Sequence, residues 1–322
     1  MQRYLLNAAY IGTKYNGVSK NVNQKNSRSI EDALSEVLAK LTKRNDTLIH
    51  TSSRTDAGVH ATNTTFAIDV NKNLPSWAIT KRLNTTFNTW HDQIRILKTT
   101  PITNEFDVRR DVLSRSYLYR FAVCKEPIPK GVNSQIYKCS MFIPIEESFR
   151  CYFALNQDFH IERVIEAAKQ LEGYHDFRSF MHVSKKQKTF HPRFCVRRMD
   201  SIEVRPGNTL ATSVNYEKTM ANFDFWNIEF KSRAYFYRQI RNMVGVLIAA
   251  GNGKLTSRDI YEMITIPSKN THKLPVPSHG LYLSNVEYSA EHLANCTRTE
   301  KNLSENEMIS NNEDVELRQS LA

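Results

Sequence analysis

The most chemically suggestive window of the chain is Ser52-Ser53-Arg54-Thr55-Asp56-Ala57-Gly58-Val59-His60-Ala61, in which a carboxylate stands between a guanidinium and a glycine. It reads as strand, loop, strand. Asp56 falls where the strand gives way to the loop, a position from which a short carboxylate can point into a cleft. Arg54 lies two residues earlier, on the same side if strand pairing extends that far. A carboxylate beside a guanidinium keeps its charge, because the cation lowers the cost of ionisation. Asp before Ala-Gly is also a routine turn-former through an Asx-turn, and the residues alone favour that plainer reading. His60 and His175 offer themselves as general bases, but a loop histidine is more often a hydrogen-bonded packing residue. The run Lys185-Lys186-Gln187-Lys188 through Arg193 and Arg197-Arg198 fits either a grip on phosphates or a solvated loop. Gly251-Asn252-Gly253-Lys254 lacks the spacing of a phosphate loop.

Charge widens the case for a polyanionic partner. The 322 residues hold 44 Lys and Arg against 33 Asp and Glu, a net +11. The stretch from Ser289 contributes three of those basic and seven of those acidic residues, so the body carries 41 against 26, or +15. Such a body attracts nucleic acid through counterion release, although solubilising charge gives the same sum. Cys124, Cys139, Cys151, Cys195 and Cys296 form no C-x-x-C pair and no metal spacing with histidine, which suggests reduced thiols and no metal. The longest apolar run, Met243 to Ala250, is far short of the ~20 residues that cross a bilayer, so no membrane partner is expected. The first thirty residues are basic, a bias shared with organelle transit peptides, yet Tyr4 to Ile11 reads as a strand of the fold.

These residues need elements to position them. Strands are expected at Tyr4 to Ile11, Thr47 to Ser53, Thr64 to Val70, Gln93 to Thr99 and Arg115 to Val123. Helices are expected from Ser29 to about Lys43, where Leu34, Val37, Leu38 and Leu41 recur at helical spacing, and near Trp77 to Thr86. After an irregular stretch the pattern resumes with a helix at Ile161 to Leu171 and strands at Cys195 to Val204, Ala211 to Val214 and Phe223 to Lys231. A helix at Tyr235 to Ala249, a short one at Ser257 to Ile264 and a strand at Leu281 to Tyr288 close the body. Helices on one face of largely antiparallel sheet define the α+β class. The expected division is 1–124 as an N-terminal half, 125–158 as linker or insertion, 159–288 as a C-terminal half and 289–322 as an acidic mobile tail.

The run Arg-Thr-Asp-Ala-Gly-Val-His-Ala from Arg54 to Ala61 resembles the signature of the tRNA pseudouridine synthase A family. Further segments match in order: Tyr10-Ile11-Gly12-Thr13-Lys14-Tyr15-Asn16-Gly17, Ser29-Ile30-Glu31-Asp32-Ala33-Leu34 and Arg115-Ser116-Tyr117-Leu118-Tyr119. Gly173-Tyr174-His175-Asp176-Phe177, Gln239-Ile240-Arg241-Asn242-Met243-Val244-Gly245 and Gly280-Leu281-Tyr282-Leu283 complete the series. The resemblance covers about Arg3 to Tyr288, and the ordered set is specific where each piece is weak. Ser53 stands where many members have glycine, a departure that looks like the animal pseudouridine synthase-like branch.

The resemblance implies isomerisation of a uridine in tRNA to pseudouridine, without cofactor or metal. It implies two ferredoxin-like halves forming a central antiparallel sheet with a basic cleft, and Asp56 as the catalytic carboxylate. A negative charge there can stabilise or attack the electron-poor ribose carbon, as carboxylates do in glycoside cleavage. Tyr117 matches the family's active-site tyrosine, able to stack on uracil, although a strand tyrosine paired with Tyr119 is the commoner fate. Arg241, with Arg54, would hold the carboxylate charged and oriented. Lys185, Lys186, Arg193 and Arg197 are the candidate contacts to the RNA backbone. Two rival readings are a non-catalytic RNA-binding protein of the same fold and a glycoside or nucleoside hydrolase using the same carboxylate, the latter weakened because standard glycosidases use two carboxylates. A homodimer is left open. The branch points to mitochondria, with cytosol and nucleus as alternatives.

Overall fold

Alternation in the first strand already separates two faces: in β1 (Gln2–Tyr10), Tyr4, Leu6, Ala8 and Tyr10 are all buried along one side. The computed structural model describes residues 2–20, 27–44, 47–71, 73–125, 143–154, 159–182, 194–268 and 274–297. It divides into two units, the first formed by Met1–Leu113 and the chain from Asn285 onward, the second by Ser114–Ser284.

In the first unit, helix α1 (Ile30–Thr42) starts at a capping box in which Ser29 and Asp32 satisfy each other's main-chain N–H groups. Ile30, Ala33, Leu34, Val37 and Leu38 then recur on its buried face, and Lys43 ends it in a left-handed conformation. Strands β2 (Ile49–Thr51) and β3 (His60–Val70) follow, then α2 (Ser76–Thr89) and β4 (Ile94–Ile102). β1 lies between β4 and β3, antiparallel to both, with Leu6 opposite Phe66 and Thr99. β2 pairs with the second half of β3, Thr51 facing Phe66.

In the second unit, the long β5 (Val112–Cys124) pairs with a short parallel β6 (Tyr152–Ala154). Helix α3 (Ile161–Gln170) buries Val164, Ala167 and Ala168, and β7 (Gly173–Asp176) pairs with β8 (Val196–Met199) as a separate two-stranded ribbon. β9 (Ser201–Pro206), α4 (Val214–Met220), β10 (Phe223–Ser232), α5 (Gln239–Gly251) and α6 (Ser257–Thr265) lead to β11 (Leu281–Tyr288). The strands of this unit run in the order β11-β5-β10-β9. Helix α5 is buried nearly all round. Gly245 makes that possible, since a Cβ there would meet the Leu274 carbonyl oxygen at 1.6 Å.

The chain then returns to the first unit. Asn285 and Tyr288, at the end of β11, hydrogen-bond Asn63 and Thr65 of β3. Helix α7 (Ala290–Cys296) buries Cys296 against Leu5, Ala67, Ile102 and Phe106. The start of the expected tail is therefore folded, and residues beyond 297 lie outside the described chain.

Several expectations are corrected. Ala211 to Val214 is not a strand: the Ser213 hydroxyl accepts the Asn215 N–H and opens α4, leaving Val214 82% exposed. The strand expected at Cys195 to Val204 breaks at Asp200, whose N–H bonds the Lys231 carbonyl, into β8 and β9 with different partners. Helix α5 begins at Gln239 rather than Tyr235, because Arg238 is left-handed and the Gln239 side chain accepts the Phe236 N–H. The described part of the expected linker, 143–154, supplies β6 and the fully buried Glu147, paired with Arg120 at 3.1 Å. Among the described residues no helix is long and apolar enough to cross a membrane.

Candidate active site

Asp56 sits half-buried in the loop between β2 and β3, and its neighbours explain how that loop is held. Thr55 is buried; its carbonyl accepts the Val18 N–H at 3.2 Å and its hydroxyl meets the Tyr10 hydroxyl at 2.8 Å. The Val59 N–H returns to the Asp56 carbonyl at 3.2 Å, closing a turn in which Gly58 has a φ of +75° that suits glycine. The Gly58 N–H is donated to the Tyr15 carbonyl. A main-chain hydrogen bond thus closes the turn.

The segment Gly12–Gly17 clamps this loop from beneath. The Gly12 N–H donates to Nδ1 of His60, which is fully buried, so His60 serves as a packing acceptor there. A Cβ on Gly12 would lie 1.9 Å from the Val59 carbonyl oxygen, and one on Gly17 would lie 2.7 Å from that of Thr55. Between them, Tyr15 donates its hydroxyl to Asp92 at 2.6 Å, and Asp92 also takes Arg28 at 2.6 Å. Burial, then the Asp92 carboxylate, drives the Tyr15 hydroxyl far above the tyrosine range, so it stays a donor. Gly12→Ala should therefore displace the Asp56 loop. The expected cost is about 1–3 kcal/mol of stability, measured by thermal melting.

Arg54 is exposed. Strand β2 stops at Thr51, so the two-residue alternation expected to set Arg54 beside Asp56 does not reach them.

The other two candidates belong to the second unit. Tyr117 lies on β5 opposite Phe230, 8% exposed, with its ring edge-on to Tyr235 at 5.1 Å. Tyr119, two residues on, is sealed at 0% and donates its hydroxyl to the Pro277 carbonyl at 2.9 Å. Burial is the main reason the Tyr119 and Tyr235 hydroxyls stand well above their usual range. Both strand tyrosines are buried, Tyr117 slightly less so than Tyr119. Arg241 occupies the first turn of α5, where its Nε donates to the Val276 carbonyl at 2.8 Å while its own carbonyl accepts the Val276 N–H.

His279 was not singled out by sequence. It lies in the turn before β11, and burial, reinforced by the Arg241 charge, lowers its pKa against the opposing Cys151 carbonyl bond. Arg197 is half-buried on β8, whereas Lys185, Lys186 and Arg193 lie outside the described residues. Among the described residues no three His, Cys, Asp or Glu gather as a metal site.

The sequence profile of a family described as tRNA pseudouridine synthase matches residues 167–289, a span that includes Arg241 and begins after Asp56 and Tyr117. Over nearly the whole chain, human tRNA pseudouridine synthase-like 1 is 30% identical across 302 residues, covering 92% of this chain and 93% of that protein. The chain belongs to the tRNA pseudouridine synthase A family. Its place is in the animal pseudouridine synthase-like branch of the family, as the Xenopus laevis protein of the same name also indicates, at 28% identity over 90% of this chain and 93% of that one. A bacterial member of the family, tRNA pseudouridine synthase A of Levilactobacillus brevis, is 27% identical over 90% of this chain and 95% of its own length. The segment Tyr10 to Gly17 is a bed for the Asp56 loop. Two glycines five residues apart were the visible signal, but the loop they touch is some forty residues away.

Proposed function

We propose that this protein isomerises one uridine of a tRNA to pseudouridine, with Asp56 as the essential carboxylate. Family membership across 92% of the chain carries the reading. The main-chain-closed turn that presents Asp56 supports the residue assignment. The reaction breaks the bond between ribose C1′ and uracil N1, turns the retained base and joins C1′ to C5. N1 gains a proton and C5 loses one, so substrate and product are isomers and the balance needs no cofactor. Asp56 either bonds to C1′ or removes a ribose proton to give a glycal; both routes use its ionised form.

Tyr117, which matches the family's active-site tyrosine, stacks on the extruded uracil in this reading. Arg54 and Arg241 bind substrate and keep the carboxylate charged. Arg197, with Lys185, Lys186 and Arg193, grips the RNA backbone. The ferredoxin-like reading of each half is supported by strand order: β4-β1-β3 with β2 on β3, and β11-β5-β10-β9. Mitochondrial residence goes with the branch as a proposal, to be tested by cell fractionation.

The deciding assay uses purified protein and an unmodified tRNA transcript labelled with tritium at uracil C5. Tritium release to water together with pseudouridine in the digest is expected. Free uracil would instead indicate a hydrolase, and binding without release a non-catalytic RNA-binding protein. Tyr117→Ala should lower kcat/KM by about 10- to 100-fold, the worth of one stacked base, while Tyr117→Phe keeps most of the stacking and loses less.

A further inference from the structure

The β7–β8 ribbon carries a face that the mechanism above does not use. In register, Tyr174 pairs with Arg198 and His175 with Arg197. Side chains alternate across such a ribbon, and the burial follows that alternation. Within the strands Met199 is sealed at 1%, whereas Tyr174 is 71% and Val196 40% exposed, with Arg198 exposed among them; Phe194, in the turn just before β8, is 56% exposed. Soluble proteins do not usually gather exposed aromatic side chains on one small face without a partner.

The cations are arranged against the rings. The Arg198 guanidinium lies 5.7 Å from the Tyr174 ring centre, Arg197 sits 4.4 Å over Phe236, and Arg238 5.1 Å over Tyr237, itself 54% exposed. Arg197, one residue from Arg198, alternates to the ribbon's other side, so the last two pairs flank the turn that enters α5 and lie apart from the Tyr174 face. Arg238 holds a left-handed backbone at φ +59°, a conformation that ordinarily costs energy in a residue other than glycine. The described stretches 172–182, 194–200 and 231–241 together hold seven Lys and Arg against three Asp and Glu, a local net of +4.

We infer that this face, centred on Tyr174 and Arg198 with Phe194 beside them, is a stacking platform for unpaired nucleotides of the RNA substrate. The inference rests on the proposal that the substrate is RNA. Bases lie on exposed rings whatever their sequence, and guanidinium groups beside those rings present donors to the flanking phosphates. A fully paired duplex shows no open base faces along its length, so the platform selects looped or single-stranded segments. The excess of arginine over acid favours a polyanion over an apolar protein partner.

The test measures affinity of the full chain for a tRNA transcript, and for a blunt duplex of equal length, by fluorescence anisotropy across a salt series. The Tyr174→Ala, Phe194→Ala double variant is expected to bind tRNA about 10-fold or more weakly, with the slope of affinity against salt unchanged and duplex affinity unaltered. Tyr174→Trp alone should bind like the native chain. Arg198→Gln should lower the salt slope by about one. In the isomerase assay the double variant should raise KM and leave kcat in place, a split that a folding defect would not give. Native tRNA affinity in the double variant would overturn the inference, and so would lost binding of an acidic protein partner with tRNA affinity intact. The binding arm does not depend on turnover: a native chain that binds tRNA but makes no pseudouridine contradicts the proposed function and still tests the platform.

Discussion

Asp56→Asn should abolish pseudouridine formation, lowering kcat by about 10⁴-fold or more, as loss of a single reacting group does in enzymes whose catalytic residues act as a unit. The amide keeps the size of the carboxylate and loses its charge. The main-chain frame of the loop should persist, because the turn is closed by the Val59 N–H on the Asp56 carbonyl and anchored through Thr55, Gly58 and His60. Binding of tRNA should stay within about twofold, since phosphate contacts elsewhere dominate affinity. Tritium release, anisotropy and thermal melting on the one variant separate the three effects. Turnover within tenfold of native would remove Asp56 from the chemistry.

The second large effect concerns stability. Glu147 is fully buried and accepts both terminal nitrogens of Arg120, at 3.1 and 3.3 Å, together with the Thr209 hydroxyl at 2.9 Å and the Leu210 N–H. Arg120 also donates to the Arg150 and Asn208 carbonyls. One carboxylate thus ties β5 to the segments on either side of it. Glu147→Ala leaves a buried guanidinium without its counter-charge and should destabilise the second unit by about 3–5 kcal/mol. Urea unfolding should show the midpoint falling with the slope unchanged. Replacing both partners, Arg120→Met with Glu147→Leu, should recover most of the loss, because no charge is then stranded. A single-variant cost below about 1 kcal/mol would mean that water reaches the pair, as at a surface ion pair.

Periodicity made much of the fold legible. α1 and α3 bury the apolar stripes expected of them, Leu34, Val37 and Leu38 in one and Val164 and Ala168 in the other. The α+β class follows from that pattern and is what the molecule has. The misses are local contests that periodicity does not register. A serine hydroxyl turned Ala211–Val214 toward a helix, an inserted Asp200 split one strand into two with different partners, and a left-handed Arg238 delayed α5. The Asp56 window was chemically ambiguous by composition, since a turn aspartate and a reacting aspartate look alike. What holds the loop is main-chain bonding and the close approach of Gly12 and Gly17, long-range facts that composition does not carry. The ribbon face was likewise hidden. Tyr174 and Arg198 are twenty-four residues apart in sequence, and only pairing of β7 with β8 puts them on one side.

The most direct test of the Asp56 account is made in cells. Pseudouridine would be mapped across all tRNAs in cells lacking this chain and in the same cells restored with either the native protein or Asp56→Asn at equal abundance. At least one uridine should lose the modification in the null cells, regain it with the native chain and stay unmodified with the variant. Restoration by Asp56→Asn, or a map indistinguishable in all three, contradicts it.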